Sequence, residues 1–235
     1  MPVSPVVVIP TYNEACNLAE LFSSIFISLP DAHIWVVDDQ SPDGTADLAE
    51  ELLSGRDGCR VLRRSGPRGL GNAYCEAFAK VLKCGYSRVV QMDADLSHNP
   101  VYLPELIEAS YAADLVIGSR YVRGGGVKNW PLKRVLLSRG ANVYVRLVTG
   151  VPISDATAGF RCWTAEALTK VDLRSMNTNG YAFQVAMAYR AHKAGMKISE
   201  VPILFTDREQ GVSKMSGSVI SESVWMPWRL RLKGK

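Results

Sequence analysis

The stretch Val6-Val-Val-Ile9, closed by Pro10 and followed by Thr11-Tyr12-Asn13-Glu14, decides the fold class. A short run of β-branched residues predicts a strand that is buried on both faces, as the strands of parallel sheets are. The next segment, Glu14–Ser28, places its apolar residues three and four positions apart, which predicts an amphipathic helix. A buried strand that leads through a polar loop into a helix is the first half of a βαβ unit.

The same alternation continues along the first half of the chain. Apolar runs that predict strands occur at Ile34–Val37, Cys59–Leu62, Arg88–Met92 and Asp114–Ile117, and helical patterns follow the first three of them at Asp43–Leu53, Gly69–Lys83 and Val101–Ala112. Strands that alternate with helices predict right-handed crossovers and a mostly parallel sheet flanked by helices, an α/β fold. In such sheets ligands bind beyond the carboxyl ends of the strands.

The second half of the chain is less regular. The patterns predict a flexible joint at Gly124–Gly126, a basic amphipathic helix at Pro131–Val148, a short strand at Gly159–Trp163, helices at Ala165–Val171 and Tyr181–Ala194, a strand at Ile198–Phe205, and a mobile polar loop at Asp207–Gly217. We expect this half to add a basic helix and a C-terminal loop to the α/β core.

Composition and charge narrow the class of protein. The 235 residues carry a formal net charge of +4, with 47% hydrophobic and 21% charged residues, which excludes a mainly disordered chain. Seven bases and no acid lie between Asp114 and Asp155, and four bases and no acid follow Glu222, so two basic segments are expected on an acidic body.

Features that would indicate export or a membrane span are not found in the sequence. No apolar run approaches the roughly 20 residues that a transmembrane helix needs, and the first ten residues do not resemble a signal peptide. Five cysteines without a C-x-x-C pair predict free thiols in a reducing compartment and no structural metal site. We expect a cytoplasmic protein.

Acidic side chains at strand ends suggest a metal site. Asp93-Ala94-Asp95 follows the strand predicted at Arg88–Met92, and because side chains alternate along an extended chain, its two carboxylates point the same way. Carboxylates this close repel each other unless a positive group compensates them. Mg²⁺ or Mn²⁺, with diphosphate oxygens completing its coordination, is the expected solution.

Two further motifs are less decisive. Asp38-Asp39 either belongs to a capping run for the next helix, with Ser41 or Asp43 as the cap, or accepts hydrogen bonds from the ribose or base of a nucleotide. Gly69-Leu-Gly-Asn-Ala-Tyr74 lacks the third glycine of the dinucleotide fingerprint and predicts a tight turn into a helix.

The basic residues suggest phosphate binding. Those placed in loops or at element ends are Arg120, Arg134, Arg139, Arg208 and Lys214. The electrostatic signal for nucleic acid is weak, so a phosphorylated small molecule is favoured and no nucleic-acid partner is expected. The tail Val224–Lys235 mixes tryptophan, leucine and bases, as does Trp130–Val148, which is typical of a membrane surface; a disordered or core-docked terminus is the alternative for the tail.

Several motifs carry a resemblance to a known family. Four of them resemble those of the inverting family-2 glycosyltransferases of the GT-A fold: Val8-Ile-Pro-Thr-Tyr-Asn-Glu14, Val36-Val-Asp-Asp-Gln-Ser-Pro-Asp-Gly-Thr45, Met92-Asp-Ala-Asp-Leu-Ser-His98 and Gly118-Ser-Arg-Tyr121. A second set is similar to that of the dolichyl-phosphate (polyprenol-phosphate) mannose synthases: Asn129-Trp-Pro131, Leu137-Ser-Arg-Gly140, Asp155-Ala-Thr-Ala-Gly-Phe-Arg161, Gly180-Tyr-Ala-Phe-Gln184 and Ser213-Lys-Met215.

The resemblance implies a function. It implies transfer of mannose from GDP-mannose to a polyprenyl (dolichyl) phosphate, with inversion, by an enzyme that uses Mg²⁺ or Mn²⁺ and lies on the cytoplasmic face of a membrane. Residues 1–217 would form a single GT-A (Rossmann-like) domain, with a nucleotide-sugar half at 1–122 and an acceptor half at 123–217. Residues 218–235 would form a basic amphipathic tail, and the need for a membrane-embedded partner subunit stays open.

The resemblance also assigns roles by position. The nucleotide sugar would contact Pro10, Tyr12, Glu14, Asp39, Asp93, Ala94, Asp95, Arg208 and Lys214. The acceptor phosphate would bind Arg120, Arg134, Ser138 and Arg139. The metal would bind Asp93 and Asp95, and Asp93, Asp95 and Arg120 would be the catalytic residues. Some relatives place a glutamine as a further metal ligand where this chain has Ser97.

A phosphate acceptor changes what the site must supply. A phosphomonoester has a second pKa near 6, so at neutral pH it is already an anionic nucleophile and needs no strong general base. His98 either acts directly or packs beside the acidic motif. Two alternative functions remain open: the same chemistry with UDP-glucose or another sugar nucleotide, and a non-catalytic regulatory subunit with the same fold.

Overall fold

The structure is a computed structural model that describes residues 5–173, 176, 180–206 and 225–232. Its strands are β1 (Val6–Thr11), β2 (His33–Asp38), β3 (Arg60–Arg63), β4 (Arg88–Gln91), β5 (Leu115–Ser119), β6 (Gly126–Lys128), β7 (Arg161–Thr164), β8 (Ile198–Pro202) and β9 (Leu204–Thr206). Its helices are α1 (Ala15–Ser28), α2 (Thr45–Leu52), α3 (Leu70–Lys83), α4 (Leu103–Ala109), α5 (Leu132–Thr149), α6 (Ala165–Lys170) and α7 (Gly180–Lys193), and residues 225–232 form a terminal helix.

The main sheet has seven strands in the order β3-β2-β1-β4-β7-β5-β8. All of its pairings are parallel except the two that β7 makes with β4 and β5, which are antiparallel. The predicted mostly parallel sheet flanked by helices is therefore confirmed. The insertion of an antiparallel strand between β4 and β5 is a long-range pairing that no local pattern indicated.

The core has two layers because the strands are buried on both faces. Val6 and Val8 belong to the hydrophobic cluster that includes residues of α3, α6 and α7, whereas Val7 and Ile9 belong to the cluster that includes residues of α1 and α4. This alternation follows from the two-residue period of a strand. It confirms the prediction that Val6–Ile9 is a strand covered on both sides.

The second half departs from the predicted elements in two places. The strand predicted at Ile198–Phe205 is divided, because β8 pairs with β5 while β9 leaves the main sheet and pairs with β6. The joint predicted at Gly124–Gly126 is instead closely packed and leads into β6. A Cβ atom on Gly125 would stand 2.5 Å from the carbonyl oxygen of Ser119, so the glycine permits a close backbone approach there.

The terminal helix packs against the end of α5. Met226 is buried, Leu230 packs against the first core cluster, and Nη1 of Arg231 donates a hydrogen bond of 2.7 Å to the carbonyl oxygen of Val148. Trp225 and Trp228, by contrast, are exposed. The tail therefore combines a docked face with an exposed aromatic one. Among the described residues, no helix is long and apolar enough to cross a membrane.

Candidate active site

The carboxyl ends of β1, β2, β4 and β5 open into a cavity of about 750 Å³. This is the edge of the sheet at which an α/β fold binds its ligands. The site residues predicted from the sequence that line the cavity are Pro10, Tyr12, Glu14, Asp39, Asp93, Ala94, Asp95, Arg120 and Arg134. Arg208 and Lys214 lie outside the described residues.

The turn after β4 holds both carboxylates of the acidic motif at the cavity. Asp95 is buried, and its Oδ1 accepts hydrogen bonds from the backbone N–H of Ser97 at 3.1 Å and from the Ser97 hydroxyl at 2.5 Å. Between them Leu96 has a φ of +62°, a conformation that few residues other than glycine adopt. The Ser97 side chain thus orients Asp95. Ser97 is the position at which some relatives have a glutamine.

His98 fixes the other half of this turn. Its Nδ1 accepts a hydrogen bond of 3.0 Å from the backbone N–H of Asp93, and its Nε2 lies 3.9 Å from Oδ2 of the same residue. The imidazole is buried and stacks on Phe160, with 5.0 Å between the ring centroids. The acceptor role of Nδ1 places the proton of the neutral ring on Nε2. His98 packs beside the acidic motif and holds its backbone.

The two aspartates at the carboxyl end of β2 have different surroundings. Asp38 accepts hydrogen bonds from the Thr11 hydroxyl at 3.0 Å and from the backbone N–H of Ser41 at 2.9 Å, so it ties the ends of β1 and β2 together. Asp39 lines the cavity, pairs with the buried Arg64, and accepts a hydrogen bond of 2.6 Å from the backbone N–H of Gly69. Of the two carboxylates, that of Asp39 is therefore the one that lines the cavity.

The basic side of the cavity is built around a buried ion pair. Nε and Nη2 of Arg120 donate to Oδ2 and Oδ1 of Asp155 at 2.7 and 2.6 Å, and Nη2 also donates to the Thr157 hydroxyl at 2.8 Å. Burial alone would lower the pKa of Arg120, but the hydrogen bonds and charge of Asp155 outweigh it and raise that pKa. Arg120 is thus a fixed cation in the cavity wall.

Arg134 and Trp130 complete this side. The guanidinium of Arg134, in the first turn of α5, lies 3.9 Å from the ring centroid of Trp130, a cation–π contact. Ser138 and Arg139 are not among the residues that line the cavity. They lie beside it around Tyr121, whose hydroxyl donates to the Ser138 Oγ at 2.6 Å and whose ring centroid is 5.5 Å from the Arg139 guanidinium.

Backbone strain concentrates at the cavity. Four described residues other than glycine have a positive φ: Asn13, Gln40, Leu96 and Asn129. Each is adjacent in sequence to a residue that lines the cavity, namely Tyr12, Asp39, Asp95 or Trp130. Strained backbone of this kind persists where the surrounding structure holds it, and it clusters at functional sites.

Sequence reasoning about single residues missed part of the cavity wall. The cavity is also lined by Arg68, Trp130, Thr157, Gly159, Tyr181, Gln184 and Phe205. All of these except Arg68 and Phe205 lie within the motifs that carried the resemblance, which was the signal that could have identified them. Asp155, which orients Arg120, begins one of those motifs.

The comparisons with known proteins agree with this site. Residues 6–171 match the model of glycosyl transferase family 2, and the chain therefore belongs to that family and is a glycosyltransferase. The chain is 48% identical to a polyprenol monophosphomannose synthase of Mycolicibacterium smegmatis, over 97% of this chain and 87% of the relative. It is 44% identical to an undecaprenyl-phosphate mannosyltransferase of Micrococcus luteus, over 92% of this chain and 89% of the relative. These relatives confirm the predicted resemblance to the polyprenol-phosphate mannose synthases.

Solved structures confirm the fold. A mannosyl-3-phosphoglycerate synthase from Rubrobacter xylanophilus matches with a TM-score of 0.69 and 19% identity, over 99% of this chain and 75% of that one. A glucosyl-3-phosphoglycerate synthase from Mycobacterium tuberculosis, in complex with Mn²⁺ and UDP-glucose, matches with a TM-score of 0.65 and 18% identity, over 94% of this chain and 75% of that one. At this identity the likeness concerns the fold.

Proposed function

We propose that this glycosyltransferase transfers mannose from GDP-mannose to a polyprenyl phosphate, with inversion at the sugar. One observation carries the proposal: a single cavity is lined both by the carboxylates of Asp93 and Asp95 and by the guanidinium groups of Arg120 and Arg134. Two anionic groups, a leaving diphosphate and an incoming phosphate, need such compensation. The names of the two relatives support the choice of mannose and of a polyprenyl phosphate.

The acidic side fits a divalent metal. Mg²⁺ is usually held by one or two protein carboxylates together with substrate phosphates, which is the donor set that Asp93 and Asp95 offer. Among the described residues, no group of three or more His, Cys, Asp or Glu side chains could hold a metal ion, so substrate oxygens and water would complete the coordination. When bound, the metal would neutralise charge on the leaving diphosphate. The glucosyl-3-phosphoglycerate synthase of the same fold, solved with both Mn²⁺ and a sugar nucleotide, is consistent with this role.

The basic side fits the acceptor. A polyprenyl phosphate is largely ionised at neutral pH, so the site has to position it and need not remove a proton. Arg134 lies in the first turn of α5 and lines the cavity, and Arg120, which also lines it, is fixed by Asp155. Because Nε and Nη2 of Arg120 already donate to Asp155 and Thr157, its Nη1 would bind the phosphate. Together with the Arg134 guanidinium it would orient the attacking oxygen toward the sugar.

The nucleotide would lie on the side of β1 and β2. Asp39 lines the cavity there, and the guanidinium of Arg68 lies 3.8 Å from the ring centroid of Tyr12. The Asp39 carboxylate would accept hydrogen bonds from the ribose or base, and the stacked ring of Tyr12 and guanidinium of Arg68 would offer a flat, cationic surface to the base. The resemblance supports guanine as the base and GDP-mannose as the donor.

The exposed side of α5 supports a place at a membrane surface. Four of its exposed apolar residues fall at intervals that share one side of a helix, namely Leu132, Leu136, Val143 and Leu147. Lys133, Arg139 and Arg146 lie on the same helix, and the exposed Trp225 and Trp228 lie on the adjoining terminal helix. Apolar and basic residues in this arrangement favour the interface of an anionic bilayer, where a polyprenyl phosphate presents its head group. We place the enzyme on the cytoplasmic face.

A donor and acceptor panel tests the proposal. Purified protein is incubated with Mg²⁺ or Mn²⁺, with labelled GDP-mannose, GDP-glucose or UDP-glucose, and with polyprenyl phosphate or the unphosphorylated polyprenol. We expect lipid-linked product from GDP-mannose and the phosphate alone, with a β linkage by NMR. Transfer from UDP-glucose at a higher rate would replace the donor assignment, and the absence of turnover with every donor would favour a regulatory subunit.

A further inference from the structure

Gln184 is a buried polar side chain at the cavity for which the proposed chemistry supplies no role. It lies in the second turn of α7, is 2% exposed and lines the cavity. Within the described part of the chain, neither its Nε2 nor its Oε1 has a hydrogen-bond partner. Burying an unpaired amide costs free energy, and buried polar groups in native proteins are nearly always paired. The structure therefore lacks a partner for this amide on the cavity side.

The backbone that carries Gln184 is held firmly. Arg161 is fully buried, and its Nη1 donates a hydrogen bond of 2.9 Å to the carbonyl oxygen of Gln184. The same guanidinium donates to the carbonyl oxygens of Ala158 at 2.8 Å and of Ala156 at 2.9 Å. One buried side chain thus fastens α7 to the loop that precedes β7. The amide of Gln184 is presented from a fixed position.

Gly159 leaves space next to this amide. A Cβ atom on Gly159 would stand 3.4 Å from Nε2 of Gln184, 3.4 Å from Cε1 of His98 and 3.5 Å from Oδ2 of Asp93. A side chain at position 159 would therefore crowd both the Gln184 amide and the Asp93 carboxylate, and glycine leaves the space in front of them open. Since Nε2 of Gln184 and Oδ2 of Asp93 both lie within 3.5 Å of that Cβ position, a small polar group of a ligand that lies between them would contact both.

The chemistry of an amide identifies the kind of group that fits. A glutamine presents an NH2 group that donates beside a carbonyl oxygen that accepts, which matches a pair of hydroxyl groups. An anionic phosphate would be matched by donors alone, since its oxygens would repel Oε1. In a sugar nucleotide the hexose follows the diphosphate, and Asp93 is the residue assigned to that diphosphate. We propose that Gln184 binds hydroxyl groups of the transferred hexose and helps to select the sugar, an inference that rests on the proposed function.

Gln91 provides a matched control. It is a second buried glutamine, in β4, and its Oε1 accepts a hydrogen bond of 2.5 Å from Nε1 of Trp163, although its Nε2 is unpaired among the described residues. It is not among the residues that line the cavity. The pair Gln184→Met and Gln91→Met therefore removes a buried amide of the same size from the cavity wall and from the core.

The test measures stability and binding as well as turnover. Thermal unfolding gives Tm, calorimetry with Mg²⁺ gives Kd for GDP and for GDP-mannose, and kinetics give kcat/KM for GDP-mannose and GDP-glucose. For Gln184→Met we expect an unchanged or higher Tm, unchanged GDP affinity, GDP-mannose affinity and kcat/KM lower by about tenfold or more, and a smaller preference for mannose over glucose. For Gln91→Met we expect a lower Tm, because the Trp163 N–H loses its partner, with the sugar preference unchanged.

The outcomes separate this inference from the proposed function. If the wild-type protein transfers mannose and Gln184→Met keeps both the affinity and the sugar preference, the inference is overturned and the proposed function stands. Equal losses of GDP and GDP-mannose affinity would also overturn it, because they would assign Gln184 to the nucleotide. If the wild-type protein prefers another sugar nucleotide, the wild type and the two glutamine variants are compared with that donor instead. A wild-type protein that binds no sugar nucleotide overturns both proposals.

Discussion

At the scale of single residues, Asp155 is the side chain on which the basic half of the site depends. It is fully buried, accepts two hydrogen bonds from the Arg120 guanidinium and a third, of 3.0 Å, from the Arg120 backbone N–H. Its own N–H donates to Glu200 at 3.0 Å. The arginine assigned to the acceptor phosphate is therefore oriented by a carboxylate that does not line the cavity.

Replacing this carboxylate tests its role as a positioning residue. In Asp155→Asn the buried Arg120 loses its charged partner, which costs about 3–5 kcal/mol when such a pair is broken from one side. We expect a lower free energy of unfolding, measured in urea. We also expect kcat for transfer to fall much more than the affinity for GDP. Glu166→Gln, which removes an exposed contact to Lys170, should change neither. An Asp155→Asn protein with normal stability and normal kcat would contradict this account.

The residues of the site differ in how far the sequence could predict them. Asp39, Asp93 and Asp95 follow strands of a parallel sheet, and the ends of such strands meet at one edge, so a local pattern was sufficient to place them together. Asp155 lies in the loop that precedes the antiparallel strand β7, and Gln184 lies on the distant helix α7. Their positions at the site are set by tertiary packing, which leaves no local signature. Only the resemblance marked those segments.

At the scale of elements, the close approach of Gly125 to the end of β5 determines how the chain enters β6. The space for a Cβ atom there is blocked by backbone, at 2.5 Å from the Ser119 carbonyl oxygen, whereas a Cβ on Gly140 in α5 would meet no atom within 4 Å. We expect Gly125→Ala to lower Tm clearly. Gly140→Ala should raise the free energy of unfolding by about 1 kcal/mol, because alanine favours a helix interior. Equal effects of the two substitutions would contradict the close packing at Gly125.

The exposed apolar side of α5 supports a second prediction at this scale. A leucine side chain contributes about 1.5–3 kcal/mol when fully buried in an apolar environment. The double variant Leu136→Gln, Leu147→Gln should therefore weaken binding to anionic vesicles by about tenfold or more, measured by vesicle sedimentation. Ile27→Gln, which changes an exposed residue of α1, should leave binding unchanged. Equal vesicle binding by the wild type, the double variant and Ile27→Gln would contradict a membrane contact on this side of α5.

The tail requires a milder test than its removal. The sequence predicts that deleting Val224–Lys235 weakens vesicle binding more than nucleotide binding. Since Met226 and Leu230 pack against the core, the deletion would also expose apolar surface and lower stability. Trp225→Ala with Trp228→Ala removes the exposed aromatic rings and keeps the docked face, so it separates membrane binding from folding.

At the scale of the whole molecule, the structure shows where the two basic segments of the sequence lie. The basic segment between Asp114 and Asp155 contributes Arg120 and Arg134 to the cavity and the remaining bases of α5 to the outer surface. The second basic segment joins the first through Arg231 and Val148. The two segments that the sequence separated are thus neighbours. The division of the chain into a domain at 1–217 with two halves and a tail at 218–235 stays a prediction.

The sequence predicted the first half of the fold better than the second. The strands, helices and parallel crossovers of the first 120 residues followed from periodicity, because each βαβ unit is a local pattern. The order of the sheet beyond β4 did not, since β7 enters between β4 and β5 and pairs with strands about 45 to 75 positions earlier in the chain. That insertion brings Gly159 and Asp155 to the site.

The central claim is that this cavity would transfer the sugar of a metal-bound sugar nucleotide to a lipid phosphate, with the nucleoside diphosphate as the leaving group. The most direct test is transfer of label from GDP-mannose to polyprenyl phosphate by the wild-type protein and by Asp95→Ala, with Mg²⁺ or Mn²⁺, measured as mannose extracted into organic solvent. The account predicts lipid-linked mannose from the wild type and none above background from Asp95→Ala. Absence of product from the wild type with either metal, or near-normal transfer by Asp95→Ala, would contradict it.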